Sequence, residues 1–114
     1  EFGSVEYAVE HLKVPLIIVM GHERCGAVQA MIDGEHPSGH LQSLIDSLRN
    51  EEEIKAIPLS DAHRMEHCVL ANIHHGVNSL IKNSSIIREK VADKSLKVVG
   101  AHYDLDDRKV TLVQ

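Results

Sequence analysis

The sequence predicts an α/β fold in which a parallel-type central sheet is flanked by helices and ends in a C-terminal β-hairpin. An unbroken apolar run at residues 14–20 leads through a polar turn into a long region of helical periodicity. A second apolar run follows at residues 96–101, and a short alternating one at 109–113. Strands connected through helices lie parallel in one sheet, whereas strands joined by a short turn form a hairpin.

The first helix is predicted over residues 4–12, with Ser4 as its N-cap. Its apolar residues recur at helical spacing: Val5, Ala8, Val9 and Leu12. The strand at 14–20 is apolar without alternation, which is typical of a parallel strand covered on both faces. Pro15 fits only at the beginning of this strand, since proline has no N–H to donate.

The polar turn at residues 21–26 opens a helix that Gly34 ends. Further helices are predicted from periodicity, and a turn is predicted before the last strand. The predicted helices cover residues 40–50, 60–83 and 84–94, and the turn covers 106–108. The three predicted strands are few for such a fold, so we expect the sheet to be incomplete.

Composition predicts one folded domain over residues 1–114. Hydrophobic residues make up 43% and charged residues 25%, which is ordinary for a globular protein, and no apolar run has the roughly 20 residues that span a bilayer. The formal net charge of -5 offers no basic surface for nucleic acid or an anionic membrane. This charge favours a small-molecule substrate or protein partners instead. The two cysteines are too few for a disulfide framework, so we expect a reducing, cytoplasmic location.

His22 and Cys25 are the candidate metal ligands. They stand three residues apart, just after a buried strand, where α/β folds commonly place binding groups. An imidazole nitrogen and a thiolate are both zinc ligands. Spacing alone favours this interpretation weakly, because a histidine at a strand end and a nearby buried cysteine are more often structural.

The surrounding residues resemble the β-class carbonic anhydrases. The most specific match is Gly-His-Glu-Arg-Cys-Gly-Ala-Val at residues 21–28. Similar segments precede it at 4–9 and 16–20 and follow it at 66–69, 98–105 and 109–113, in the family's order and spacing. The resemblance covers essentially the whole chain, and it implies a β-carbonic anhydrase-like fold.

The resemblance implies zinc as the cofactor, with His22 and Cys25 as two of its three protein ligands. In the family, zinc makes hydroxide available near neutral pH for attack on carbon dioxide, giving bicarbonate. The first ligand cysteine belongs to an upstream Cys-x-Asp-x-Arg segment whose Asp and Arg control the metal's fourth position. Those three residues are absent here. The fold is therefore expected to be N-terminally incomplete, no catalytic residue is assigned in this chain, and the chain alone is expected to be impaired.

Gly26 is the candidate substrate-binding residue. It permits close approach of the backbone behind Cys25, where amides that open the following helix can donate to an anion such as bicarbonate. A packing requirement at this glycine is an equal alternative. The family builds its sites at dimer interfaces, so the resemblance implies a homodimer or a multiple of dimers.

Two other functions are open alternatives. A non-catalytic homologue acting as a dimerisation or binding module fits the missing segment. A carbon disulfide or carbonyl sulfide hydrolase fits the same ligands, since specificity depends on access to the pocket.

Other candidate residues have ordinary interpretations. His63, Glu66 and His67 match the inverted zinc-protease pattern, but a chain of this length makes a poor protease. Cys68 is predicted to be a buried, inert thiol. Glu23 and Arg24 can orient a ligand or pair across a subunit interface, although charges at such a turn are usually only solvated, and neither is assigned a catalytic role.

Overall fold

The computed structural model describes residues 1–113, and in these residues helices and strands combine into a mixed α/β fold. The helices are α1 Phe2–Glu10, α2 Gly26–Ile32, α3 His40–Arg49, α4 Glu52–Lys55, α5 Arg64–Asn83 and α6 Ser85–Ala92, and the strands are β1 Leu16–His22, β2 Lys97–Tyr103 and β3 Val110–Val113. Among these helices none is long and apolar enough to cross a membrane.

The described strands form one sheet in the order β1-β2-β3. β1 and β2 run parallel, with Leu16 opposite Lys97 and His22 opposite Tyr103. β3 returns antiparallel to β2, which closes the hairpin. The predicted fold class, a parallel-type sheet flanked by helices with a C-terminal hairpin, is therefore confirmed.

Several element boundaries differ from the predictions. α1 begins at Phe2, so Ser4 lies inside the helix and is not its N-cap. α5 begins at Arg64 instead of residue 60, and the four-residue α4 was not predicted. β1 continues to His22 because Gly21 and His22 still pair with β2. The first candidate ligand is thus the last residue of a strand.

The expectation that β1 is covered on both faces is wrong for the described residues. Its side chains alternate in exposure, and Leu16, Ile18 and Met20 are 46%, 47% and 51% exposed. The residues between them face the helices, with Ile17 packed against the cluster of α1 and α6. Within residues 1–113, helices cover only one face of the sheet, which leaves an apolar surface on the other.

The close approach of α5 to the sheet depends on three glycines. A Cβ on Gly76 of α5 would lie 2.6 Å from Val19 Cγ1. Cβ atoms on Gly21 and Gly100 would lie 2.8 and 2.7 Å from side-chain atoms of Ile73. These distances are shorter than any normal carbon contact, so larger residues would push the helix off the strands.

Two apolar clusters form the core around this contact. The larger cluster joins α2, α3, α4 and α5, and its buried members are Val28, Met31, Ile45, Leu48, Ile54, Cys68, Val69, Ala71 and Ile73. The smaller cluster joins α1, α6 and the start of β2 through Val9, Ile87 and Leu96. Buried Ser84 fixes this second region, since its hydroxyl donates to Glu6 and accepts from the Ile87 N–H at the start of α6.

Glu51, which precedes α4, is a buried carboxyl group with 7% of its surface exposed. The Asn72 amide nitrogen donates to its two oxygens at 2.8 and 3.2 Å. Burial raises the pKa of Glu51 from 4.5 to about 7, the Glu53 charge adds to this rise, and His75 opposes it. The pKa of Glu53 is shifted in the opposite direction. Hydrogen bonds from Asn78, its own backbone and His75 lower it from 4.5 to about 2.

Replacement of Gly76 by alanine tests the close contact. We expect Gly76→Ala to lower the free energy of unfolding by about 1–3 kcal/mol, because the β-branched Val19 cannot move away easily. Gly3→Ala is the matched control, since a Cβ there meets no atom within 4 Å, and it should change stability by less than about 1 kcal/mol. Urea unfolding measures both, and equal effects would contradict the prediction.

The buried carboxyl group predicts a pH-dependent stability. Between pH 4.5 and about 7 the folded chain retains a proton on Glu51 that the unfolded chain has lost, so stability falls as pH rises. Glu51→Gln, which mimics the protonated form, should raise the free energy of unfolding at pH 8 by on the order of 1–3 kcal/mol and change it little near pH 4.

Glu53→Gln is the control of opposite sign. The lowered pKa of Glu53 contributes stability above pH 4.5 that is lost as pH falls toward 2, so its replacement should destabilise the protein at pH 8. Urea midpoints at pH 4, 6 and 8 measure both variants. A pH profile that is unchanged in Glu51→Gln would contradict the assignment.

Candidate metal centre

His22 ends β1 opposite Tyr103, and its imidazole is held by the next residue. Its Nδ1 lies 2.9 Å from the main-chain oxygen of Glu23. A carbonyl oxygen can only accept, so this contact assigns the ring proton to Nδ1. The lone pair of Nε2 is then free for a metal ion, in the way that metal-binding histidines are usually oriented.

Cys25 is the N-cap residue of α2, with extended backbone angles of φ -64° and ψ 119°. It is partly buried, packs against the larger core cluster and carries a free thiol. The strand therefore positions His22 and the helix start positions Cys25, with only two residues between them.

Arg24 connects these two residues in a strained conformation. Its φ of 52° lies in the left-handed region, which non-glycine residues seldom adopt. Its guanidinium donates two hydrogen bonds of 3.2 Å to the Asp106 carboxylate. Hydrogen bonding to Asp106 and the negative charge of that carboxylate raise the pKa of Arg24. The Arg24 side chain is exposed, as expected for this turn, but it also forms an ion pair with Asp106.

Glu23 joins the turn to the segment after β2, so the expectation that it is merely solvated is wrong. Its main-chain N–H donates to the Tyr103 oxygen at 3.2 Å. Its Oε1 accepts from the N–H groups of Leu105 and Asp106 at 2.7 and 3.2 Å. We call this set of contacts between residues 22–25 and 103–107 the turn clamp.

Asp104 stabilises the second half of the turn clamp. Its Oδ1 accepts from the N–H groups of Asp106 and Asp107 at 2.8 and 3.2 Å. These backbone hydrogen bonds lower the pKa of Asp104. Residues 104–107 therefore form a tight turn, which confirms the turn predicted at 106–108 and extends it toward β2.

A third ligand for His22 and Cys25 is not found among residues 1–113. The trio of potential ligands close enough to share an ion there is Glu23, Asp104 and Asp106, within 4.8 Å of one another. Their oxygens already bind backbone N–H groups and Arg24. The donor chemistry of His22 and Cys25 fits zinc, but two donors fill only part of its coordination shell.

Cys68 does not supply the missing ligand. It is fully buried in α5, and burial raises the pKa of its thiol. The predicted burial of this thiol is confirmed, and the raised pKa disfavours the thiolate that binds zinc.

The two histidines of the inverted protease motif contact Asp61 and each other. His67 Nδ1 lies 2.7 Å from Asp61, whose other oxygen accepts the His63 N–H. The two imidazoles contact edge to face with centroids 6.2 Å apart. These contacts explain both histidines as parts of the turn that begins α5.

Gly26 begins α2, and a Cβ there would meet no atom within 4 Å. The packing alternative therefore has no support among the described residues. His22 itself lines a shallow cleft with Met20, Gly21, Tyr103 and Leu105. This cleft adjoins the apolar face of the sheet that helices leave uncovered.

Comparison with known proteins identifies related chains. The family model described as carbonic anhydrase matches residues 1–110. Carbonic anhydrase 2 of Mycobacterium tuberculosis is 37% identical over 114 residues, covering 96% of this chain and 54% of that protein. Beta carbonic anhydrase 5, chloroplastic, of Arabidopsis thaliana is 32% identical, covering 92% of this chain and 36% of that protein.

Solved structures agree with the sequence comparison. A Coccomyxa β-carbonic anhydrase in complex with acetazolamide superposes with a TM-score of 0.81 and 26% identity, covering 97% of this chain and 52% of that one. One of two tetrameric β-carbonic anhydrases from Sordaria macrospora gives a TM-score of 0.80 and 28% identity, covering 97% and 58%. The chain thus spans about half the length of the relatives it matches. On the family match and these likenesses together, the chain belongs to the β-class carbonic anhydrases.

Proposed function

We propose that this chain contributes His22 and Cys25 as two zinc ligands to an enzyme that catalyses the reversible hydration of carbon dioxide. The observation that carries this proposal is the orientation of His22, whose Nδ1 is occupied by the Glu23 carbonyl while Nε2 is left free. His22 lies in the segment that most resembles the family, three residues before the partly buried thiol of Cys25.

The chain's own residues prepare the centre. His22 presents Nε2 from the end of β1, and Cys25 presents its sulfur from the start of α2. Zinc, when bound, makes a water molecule nucleophilic near neutral pH. Gly26 leaves open space beside Cys25, which is consistent with its proposed role in substrate binding.

The 114-residue chain alone is proposed to bind zinc weakly and to have little activity. A structural zinc site needs four ligands, and a catalytic site normally has three from the protein. The family's Cys-x-Asp-x-Arg segment, which supplies the first ligand and the Asp–Arg pair that controls the metal's fourth position, is not among these residues. A second candidate is a non-catalytic homologue that dimerises or binds a partner, and the exposed apolar residues Leu16, Ile18 and Met20 support it.

The apolar sheet face supports assembly into homodimers or multiples of dimers. Leu16, Ile18 and Met20 are about half exposed, and so are Val110 and Leu112 of β3. A continuous apolar surface on a sheet is normally covered by protein. We also propose a cytoplasmic location, because a reducing compartment keeps the Cys25 thiol available for zinc.

Zinc affinity tests the ligand assignment. The chain should bind zinc, measured by competition with a chromophoric chelator, and His22→Ala and Cys25→Ser should each weaken binding by more than about tenfold, since few donors share the ion. Cobalt(II) in place of zinc should show a thiolate charge-transfer band that Cys25→Ser removes. Carbon dioxide hydration by the chain alone should be near the uncatalysed rate.

Cys68→Ala is the matched control, because it removes the other thiol, which is buried away from the centre. It should leave zinc affinity and the cobalt band unchanged. Zinc binding that survives both ligand substitutions would contradict the assignment. A longer natural polypeptide that holds about one zinc per chain and hydrates carbon dioxide would support the enzyme, and a longer polypeptide without zinc would support the non-catalytic homologue.

Association in solution tests the apolar face. We expect the chain to self-associate in light scattering, and Ile18→Lys to reduce that association, because a charge at the centre of the face opposes burial. Leu59→Lys is the control, since Leu59 is 86% exposed but lies outside the sheet. A monodisperse wild-type monomer would contradict the expectation.

A further inference from the structure

We infer that Glu23 is a positioning residue of the metal centre, which fixes His22 with its carbonyl and anchors the ligand turn with its carboxylate. This inference rests on the proposed function, in which His22 and Cys25 bind zinc. Glu23 is not a ligand in this proposal. It acts on the metal through the two residues on either side of it.

The first contact fixes the histidine ring. The Glu23 carbonyl accepts the His22 Nδ1 proton at 2.9 Å, which selects the tautomer with Nε2 unprotonated. This selection holds only while the peptide that follows His22 keeps its orientation. The orientation of that peptide therefore becomes part of the metal centre.

The second contact fixes the peptide itself. The Glu23 carboxylate accepts two N–H groups of the turn after β2, at 2.7 and 3.2 Å, and its side chain is only 23% exposed. Hydrogen bonds to a charged, partly buried acceptor are roughly twice as strong as neutral ones. They connect the ligand turn to residues 82 and 83 positions away in the chain.

The third observation shows why such an anchor is needed. Arg24, between Glu23 and Cys25, holds a left-handed backbone with φ 52°. A non-glycine residue persists in that region only where its surroundings fix it. The Asp106 pair contributes, but it is largely exposed, and exposed ion pairs stabilise little. The better-shielded Glu23 contacts are therefore the principal restraint on the spacing of His22 and Cys25.

The test compares Glu23→Ala with Glu23→Gln. Alanine removes the anchor, so zinc affinity should fall about tenfold, the lower end of the range for residues that support a metal ligand. Glutamine keeps an oxygen that can accept both N–H groups and should retain affinity within about threefold. Glu89→Ala is the matched control, because Glu89 is an exposed glutamate of α6, outside the turn clamp, and it should have no effect.

A readout without metal separates positioning from general destabilisation. Long-range ¹⁵N correlation spectra of the zinc-free chain, recorded at pH 8.5, should show His22 protonated on Nδ1 in the wild type and Glu23→Gln. In Glu23→Ala the proton should move in part to Nε2, the form that a free imidazole prefers.

The outcomes distinguish the inference from the proposed function. If zinc binding depends on His22 and Cys25 but Glu23→Ala leaves affinity and tautomer unchanged, the inference is overturned and the ligand assignment stands. Equal losses of affinity in Glu23→Ala and Glu23→Gln would also overturn it, since the acceptor would then be irrelevant. If binding depends on neither ligand, the proposed function fails, while the tautomer shift would still establish Glu23 as the residue that orients His22.

Discussion

The close contact between α5 and the parallel pair β1 and β2 determines where everything else in this chain lies. Glycines on both sides of the contact let the helix rest directly on the strands, with Val19 against Gly76 and Ile73 against Gly21 and Gly100. Gly21 is the residue before His22. The contact that packs the core therefore also fixes the end of β1, from which the candidate metal centre extends.

The same contact explains why the sheet has two different faces. Side chains alternate along a strand, so the residues that meet the helices leave Leu16, Ile18 and Met20 on the opposite face. His22 belongs to this second set, since it follows Met20 by two residues. His22 of the candidate metal centre and the uncovered apolar surface thus lie on one face of the sheet, while Cys25 packs against the core cluster.

Local sequence patterns predicted the strand, turn and helix around His22 and Cys25, because periodicity and turn residues act over short distances. They failed where a distant residue decides the outcome. The one-sided exposure of β1 depends on which helices return to it, and the buried carboxyl group of Glu51 is hydrogen-bonded by Asn72 of α5. The sequence around Glu23 predicts a solvated side chain, whereas its carboxylate binds the N–H groups of Leu105 and Asp106, which are distant in the chain. The ligand assignment came from the family resemblance, and only the structure showed how His22 is oriented.

The position of His22 on the uncovered face connects assembly with chemistry. An electrostatic centre is most effective where water is excluded, because charges interact more strongly at low dielectric. In the proposed enzyme, protein that covers Leu16, Ile18 and Met20 also shields the cleft of Met20, His22 and Tyr103. Exclusion of water from this cleft by that protein would strengthen the interactions of an ion bound at His22. The apolar face is therefore as much a part of the proposed active site as the two ligands are.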